Sequence, residues 1–305
     1  MARAVRFDRY GGVDELYLAE VDVPTPPPGE VVVRVRAVGI NPGEAAIRRG
    51  LFGRDPSSLP SGQGSDLAGV IDAVGDGVTG FAVGDEVLGW SFRRSSQADY
   101  VTVPADQLVA KPAELSWPVA GSLYMVAATA TAAVRAVQPR PGDVVAVSAA
   151  AGGVGVGVVQ LLTLAGATVI GIGSEIHHDW LQAHGVVPVS YGDGLEQRLR
   201  TAAPAGIDAF IDLFGPDYVR LAVDLGVPRD RIETIISFDA AQEFGTHSAG
   251  SADGTSTEVL ARAAGYVAGG QLEIPIAATY PLTDVRRAYI ELEQRHSLGR
   301  VVLLP

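Results

Sequence analysis

Hydrophobic positions along the chain change their period around Lys111-Pro112. Between residues 1 and 110 they fall in short runs, several of them alternating with polar residues: 1–7, 31–38, 70–75, 86–90 and 98–104. Turn residues bound these runs, among them Pro24-Thr25-Pro26-Pro27-Pro28-Gly29, Gly75-Asp76-Gly77 and Gly84-Asp85. Many short strands at this spacing predict a partly open barrel. From residue 118 to 137 the chain is alanine-rich and reads as one helix. Buried-strand runs then recur at 144–148, 168–173, 186–190, 207–213 and 232–238, with helical spacing between most of them. That alternation predicts a doubly wound parallel sheet. Residues 239–256 are small and polar and read as a long loop, either functional or a solvated connector. A helix at about 258–268, a strand at 274–280 and a helix at 284–294 capped by Thr283 or Asp284 follow. The last strand, 300–304, is expected to return to the first domain.

The most informative stretch runs from Val144 to Leu164. A β-branched apolar run leads into Ala149-Ala150-Ala151-Gly152-Gly153-Val154-Gly155, and Val154, Val158, Leu161, Leu162 and Ala165 then recur at helical spacing. Strand, glycine turn and helix in this order form the entry of a dinucleotide-binding domain. The glycines let backbone approach a pyrophosphate, and the helix start offers free N–H groups and partial positive charge. The alternative is a glycine-rich turn that only packs.

Composition narrows the partners. The chain has 305 residues, more than one core usually fills, so two domains are expected. A net charge of −12 and the absence of a basic stripe argue against nucleic acid. No apolar run of about 18 residues is free of polar breaks, so no membrane span is expected, and residues 1–7 lack a signal-peptide core, so a cytoplasmic protein is expected. There is no cysteine, which removes disulfides, thiolate zinc sites and a cysteine nucleophile. Lysine occurs once, at Lys111, so cationic contacts to a cofactor fall to arginine or histidine.

An ordered set of motifs spans essentially the whole chain: Gly39-Ile40-Asn41-Pro42, Gly64-Ser65-Asp66-Leu67-Ala68-Gly69, the turn-rich segment 75–87, Ala98-Asp99-Tyr100, Thr129-Ala130, Ala149-x-x-Gly152-x-x-Gly155, and Gly299-Arg300-Val301-Val302. This set resembles the medium-chain dehydrogenase/reductase superfamily, in its zinc-independent quinone oxidoreductase branch. The resemblance implies an α/β fold: a Rossmann doubly wound parallel sheet plus a partly open, GroES-like β-barrel catalytic domain. The expected domains are a barrel at 1–115, completed by about 272–305, and a Rossmann domain at 116–271. It further implies an active-site cleft between the domains and a homodimer.

The zinc members' Cys–His–Cys ligand set is impossible here, and His177, His178, His184, His247 and His296 all lie beyond the barrel segment. Without a Lewis acid, acceptors whose developing oxyanion is conjugated are favoured. The leading expectation is NADPH-dependent hydride transfer to a quinone. The alternatives are an enoyl or 2-alkenal reductase acting on an enone, and a non-catalytic NADP(H)-binding sensor or structural protein.

By the same resemblance, Asn41 sits beside the nicotinamide with its amide available to a substrate oxygen; the alternative is an asparagine that shapes the turn before Pro42. Tyr124 is either a donor to that oxygen or a buried structural tyrosine. Thr129 touches the nicotinamide ring or packs its helix. Phe214 and Phe238 are cofactor-binding candidates, Phe238 at the end of a parallel strand or else in the core. Ala150, Gly152, Gly153, Val154 and Gly155 form the phosphate turn. The end of the second Rossmann strand decides NADPH against NADH. Ser174 and a protonated His178 suit a 2′-phosphate, Glu175 opposes it, and both histidines also fit an exposed helix start. Tyr191 is expected near the adenosine.

Overall fold

A computed structural model describes every residue of 1–305 except Pro216. In chain order the elements are β1 (Ala2–Phe7), β2 (Tyr17–Val21), β3 (Glu30–Gly39), α1 (Pro42–Arg48), β4 (Ser61–Gly62), β5 (Asp66–Val74), β6 (Glu86–Trp90), β7 (Tyr100–Pro104), β8 (Leu108–Ala110), α2 (Trp117–Ala120), α3 (Leu123–Val137), β9 (Val144–Val147) and α4 (Gly155–Leu164). They continue with β10 (Thr168–Gly173), α5 (His178–Ala183), β11 (Val186–Ser190), α6 (Leu195–Ala202), β12 (Ala209–Asp212), α7 (Pro216–Asp224), β13 (Ile232–Thr234), α8 (Phe238–Phe244), α9 (Ser251–Gly254), α10 (Thr257–Ala268), β14 (Ile276–Pro281), α11 (Val285–Gln294) and β15 (Arg300–Leu304). Contacts group the chain into two units, Met1–Met125 with Ser256–Pro305, and Val126–Thr255.

The first unit is built on β3. Its valines 31, 32, 33, 35 and 38 are fully or almost fully buried, as a β-branched strand in a sheet interior requires. β3 pairs antiparallel with β5 on one side; along the other it pairs first with β7 and then with β15. Two register shifts against β5 bend it. The resulting order β14-β15-β3-β5-β6-β8 curls as a partly open barrel, and a second small sheet runs β2-β1-β4. One apolar core lies among β3, β5, β6, β7 and β8. A second joins β1, the start of α1, α11 and β15 around Phe7, Ile40 and Tyr289. The C-terminal strand thus returns to the first unit, as the sequence pattern implies.

The second unit carries a five-stranded, all-parallel sheet in the order β11-β10-β9-β12-β13. This is the doubly wound arrangement, with the order reversing beside β9. Its strands are short apolar runs with helices on both faces, because a parallel sheet must be covered twice. Val145, Val147, Val158, Leu162 and Leu181 pack on one side, and Phe210, Leu199, Val219 and Ile232 on the other.

Three expectations are corrected. The single helix at 118–137 is two, α2 and α3, broken at Gly121 and Ser122. Gly121 lies so close to β3 that an added Cβ would stand 2.3 Å from the Ala37 carbonyl oxygen, and its own carbonyl accepts from the Gly39 N–H at 2.6 Å. The strand read at 232–238 stops at Thr234, so Phe238 opens α8 instead of ending a strand. The Thr234 hydroxyl takes the N–H groups of Ile236 and Ser237 and turns the chain off the sheet. The polar stretch 239–256 holds α8 and α9, and His247 adds a single parallel bridge to Glu233. The backbone of His247, between the two helices, bonds the Ile232 carbonyl and the Thr234 N–H at the edge of β13.

Leu162 is fully buried between α4 and the sheet. Leu162→Ala should cost about 3 kcal/mol through lost burial and a residual cavity. Thermal or urea unfolding reads this as a clear loss of stability.

Candidate active site

In the second unit, β9 delivers its chain into a turn at Ala149–Val154 that opens α4. Ala149 has φ +48°, and its carbonyl accepts from the Gly152 N–H at 2.9 Å. A Cβ on Gly155 would lie 2.2 Å from that carbonyl, so only glycine fits. Ala150 is buried, while Gly152, Gly153 and Val154 are partly exposed. No side chain caps α4; the Val156 and Gly157 N–H groups are taken by the Gly152 and Val154 carbonyls at 3.0 Å, so the donors left for a ligand lie earlier in the turn, around Gly153–Gly155. The turn therefore presents backbone donors and a helix dipole, which is the chemistry of phosphate binding.

The next strand pair lies beside it. Gly173 at the end of β10 pairs with Ser190 at the end of β11. Ser174 precedes a short 3-10 turn at Glu175–His177. The exposed Glu175 carboxylate accepts from the Ser190 hydroxyl at 3.0 Å. Tyr191 follows directly and is exposed. His178 is half-buried and its Nε2 is shut off from solvent without a partner, so that edge of the ring faces inward. Arg198, which sequence reading passed over, donates from its Nε, Nη1 and Nη2 to the carbonyls of Ser190, Tyr191, Gly192 and Asp193 and shapes the loop after β11.

At the other half of the sheet, Asp212 ends β12 fully buried. It accepts from the Ser148 hydroxyl at 2.8 Å, the Phe214 and Gly215 N–H groups at 2.9 and 3.1 Å, and the Thr234 and Ser237 hydroxyls at 2.8 and 3.1 Å. Phe214 stands edge-on to Tyr218, with ring centroids 5.8 Å apart. Thr129 is buried in α3. Asp212 could have been noticed as an acid closing an apolar strand, since ligands of such sheets gather at the strands' C-terminal ends.

Glu233, next to Thr234, is fully buried and neither oxygen has a hydrogen-bond partner in normal geometry. Burial raises its carboxyl to about 8; the Ala249 backbone N–H opposes this, and the charges of Asp253 and Asp212 add to it.

The first unit holds a buried polar network around Asn41, the only asparagine of the chain. Asn41 caps α1, with Pro42 at the helix start. Its Nδ2 donates to Asp66 at 2.9 Å and to Glu44 at 3.2 Å, and its Oδ1 accepts from Arg300 at 2.9 Å. Asp66 also takes Arg300 Nη2 at 2.8 Å and the Met125 N–H at 2.7 Å. Glu44 accepts from the N–H groups of Asn41 and Ser65, from Gln97, and from the Tyr289 hydroxyl at 2.7 Å. Burial pushes both carboxyls upward; Arg300 pulls Asp66 back, and the Tyr289 hydroxyl does the same for Glu44. The Tyr289 hydroxyl itself stands well above its ordinary range, burial and Glu44 acting together. Glu44 and Tyr289 carried no recognisable spacing in the sequence, since the chain brings them together across 245 positions.

This network engages every polar atom of the Asn41 side chain with protein partners. Tyr124, near the start of α3, is buried and stacked on Trp90 at 4.9 Å and 16°. Among the described residues, no group of three or more His, Cys, Asp or Glu could hold a metal ion. The ligand set of the zinc members does not fit these residues. No helix among the described residues is long and apolar enough to cross a membrane.

Two predictions test these buried charges. Arg300→Met strands Asp66 without its cation and should cost about 3–5 kcal/mol, while Arg300→Met with Asp66→Asn should recover part of that; denaturant unfolding of both variants checks it. For Glu233, the fold holds a proton that the unfolded chain releases above about 4.5. Its contribution is complete at low pH and is lost as pH rises through about 8. Melting temperatures between pH 5.5 and 8.5 should therefore fall less steeply in Glu233→Gln than in the unaltered protein.

Comparison with known proteins agrees with this architecture. Residues 27–113 match the alcohol dehydrogenase GroES-like domain, and residues 126–303 the zinc-binding dehydrogenase family. A quinone oxidoreductase of Rattus norvegicus is 32% identical over 219 residues, covering 70% of this chain and 66% of that protein, just under two thirds of its length. The Homo sapiens quinone oxidoreductase is 30% identical over 326 residues, covering 100% of this chain and 98% of that protein. The crystal structure of Escherichia coli quinone oxidoreductase complexed with NADPH superimposes with a TM-score of 0.88 at 25% identity, over 100% of both chains. On its residues, its sheet order and these relatives, the chain belongs to the medium-chain dehydrogenase/reductase superfamily, in the quinone oxidoreductase branch.

Proposed function

We propose that this protein is an NADPH-dependent reductase that transfers a hydride to a quinone without zinc. The observation that carries the reading is the turn at Gly152–Gly155, where a Cβ on Gly155 has no room and α4 starts without a side-chain cap. A pyrophosphate fits that cradle sterically and electrostatically. Reduced nicotinamide, when bound, supplies the hydride. Gly152, Gly153, Val154 and Gly155 hold the phosphates, with Ala150 beneath them. Thr129, Phe214 and Phe238 serve the nicotinamide half, and Ser174 and Tyr191 the adenosine half.

NADPH is favoured because β10 ends at Gly173 and Ser174 follows it, with no acid on the last strand residue. His178 is a weaker contributor than its sequence position implies, since its Nε2 faces inward. Asn41 acts by shaping the start of α1, as its amide is fully engaged within the fold. Tyr124, buried and stacked on Trp90, supports the structural alternative for this residue rather than a donor to the substrate oxygen. A quinone needs no Lewis acid, because hydride addition yields a conjugated oxyanion; one proton from water completes the hydroquinone. That demand matches a chain with no cysteine and no ligand cluster among its described residues.

Fluorescence titration with NADPH and NADH, followed by 1,4-benzoquinone or a simple enone, tests the reading. Tighter NADPH binding and oxidation by the quinone are expected. Glu175→Gln should leave NADPH binding equal or up to about threefold tighter by removing one exposed like charge. A preference for NADH that Glu175→Gln destroys would make Glu175 the ribose ligand and overturn the cofactor assignment. Oxidation by the enone alone would move the substrate to α,β-unsaturated carbonyls.

A further inference from the structure

Three large apolar side chains stand exposed at consecutive strand ends of the parallel sheet: Phe214 at 44%, Ile236 at 41% and Phe238 at 46%. Phe214 follows β12, while Ile236 and Phe238 follow β13. Exposed apolar groups gathered on one functional edge point to something that covers them. Their loops are not loose, because one buried carboxylate holds all of them. We infer that Asp212 is a positioning residue for the nicotinamide half of the cofactor, acting through the loops that carry Phe214, Ile236 and Phe238. The inference rests on the dinucleotide reading of the glycine turn and deepens it.

Asp212 works partly through hydroxyl relays. Ser148 donates its hydroxyl to Asp212 and accepts the Leu213 N–H at 2.8 Å. Thr234 donates to Asp212 and accepts the Ser237 N–H at 3.0 Å, with the Ile236 N–H at 3.3 Å. The Phe214 N–H reaches Asp212 directly. All five groups bonded to Asp212 donate, so the hub must be an acceptor on both oxygens.

The hub is also continuous with the phosphate turn. β12 pairs with β9 through Ile211 and Val147, the Ser148 N–H bonds the Ile211 carbonyl at 3.0 Å, and Ser148 immediately precedes Ala149 of the turn. A ligand whose pyrophosphate rests on that turn extends its second half along these strand ends. The occupant that fits is the nicotinamide riboside portion, a flat ring that apolar side chains can cover from the edge. In Asp212→Asn the Phe214 and Gly215 N–H groups, which can only donate, keep the remaining oxygen on their side, so the NH₂ faces the Thr234 and Ser237 hydroxyls and shifts the loop after β13 while leaving the volume unchanged.

The experiment compares two ligands on one protein. NADPH has both halves, whereas 2′-phospho-ADP-ribose lacks the nicotinamide. In Asp212→Asn, NADPH binding should weaken about tenfold or more, the value of an anchor lost at a buried polar site. The affinity for 2′-phospho-ADP-ribose should stay within about twofold, since phosphate turn and adenosine residues are untouched. Equal weakening of both ligands would mean a merely structural role and would overturn the inference, as would no change in either. Thr234→Val removes the relay to the loop after β13, away from the phosphate turn, and should reproduce the selective loss; it carries the test if Asp212→Asn does not fold. NADH and ADP-ribose are run in parallel. If the unaltered protein binds neither NADPH nor NADH, the proposed function itself fails, an outcome distinct from binding that Asp212→Asn leaves unselective.

Discussion

The ion pair between Asp66 and Arg300 is the constraint on which the barrel unit depends. Both side chains are excluded from water, where an isolated charge would be very costly. The fold therefore fixes their partners: Arg300 opens the last strand, Asp66 opens β5, Asn41 sits between them at the start of α1, and the Met125 N–H closes the set. The strands could be held by apolar packing alone. The junction of β5, β15, α1 and the start of α3 is set by charges that tolerate only one arrangement. Such networks specify geometry more than they add stability, because desolvation offsets much of the attraction.

The second unit repeats this logic with a different carboxylate. Asp212 gathers the loops after β9, β12 and β13 as Asp66 gathers elements of the barrel. The two hubs differ in what answers them. A guanidinium meets Asp66, whereas hydroxyls and backbone N–H groups meet Asp212.

Asn41 shows how the same motif reads differently at two levels. In the sequence its place before Pro42 and its family resemblance point to the substrate. In the fold its amide is spent on Asp66, Glu44 and Arg300. Its amide joins the start of α1 to β5 and β15.

The sequence by itself determined the order and type of most elements, because the period of apolar residues is a local property. The β-branched runs of β9, β10 and β11, the glycine turn before α4 and the closing strand β15 were legible for that reason. Asp66 and Arg300 stood within recognisable motifs. Tertiary structure alone decided the rest. The break at Gly121 depends on how closely that backbone approaches β3, and the end of β13 depends on hydroxyls bonded to Asp212. The partnership of Glu44 with Tyr289, and the gathering of three loops on Asp212, join residues far apart in the chain. Hydrogen bonds across such separations leave no period in a sequence, since they are fixed by the packing of elements that the period only names.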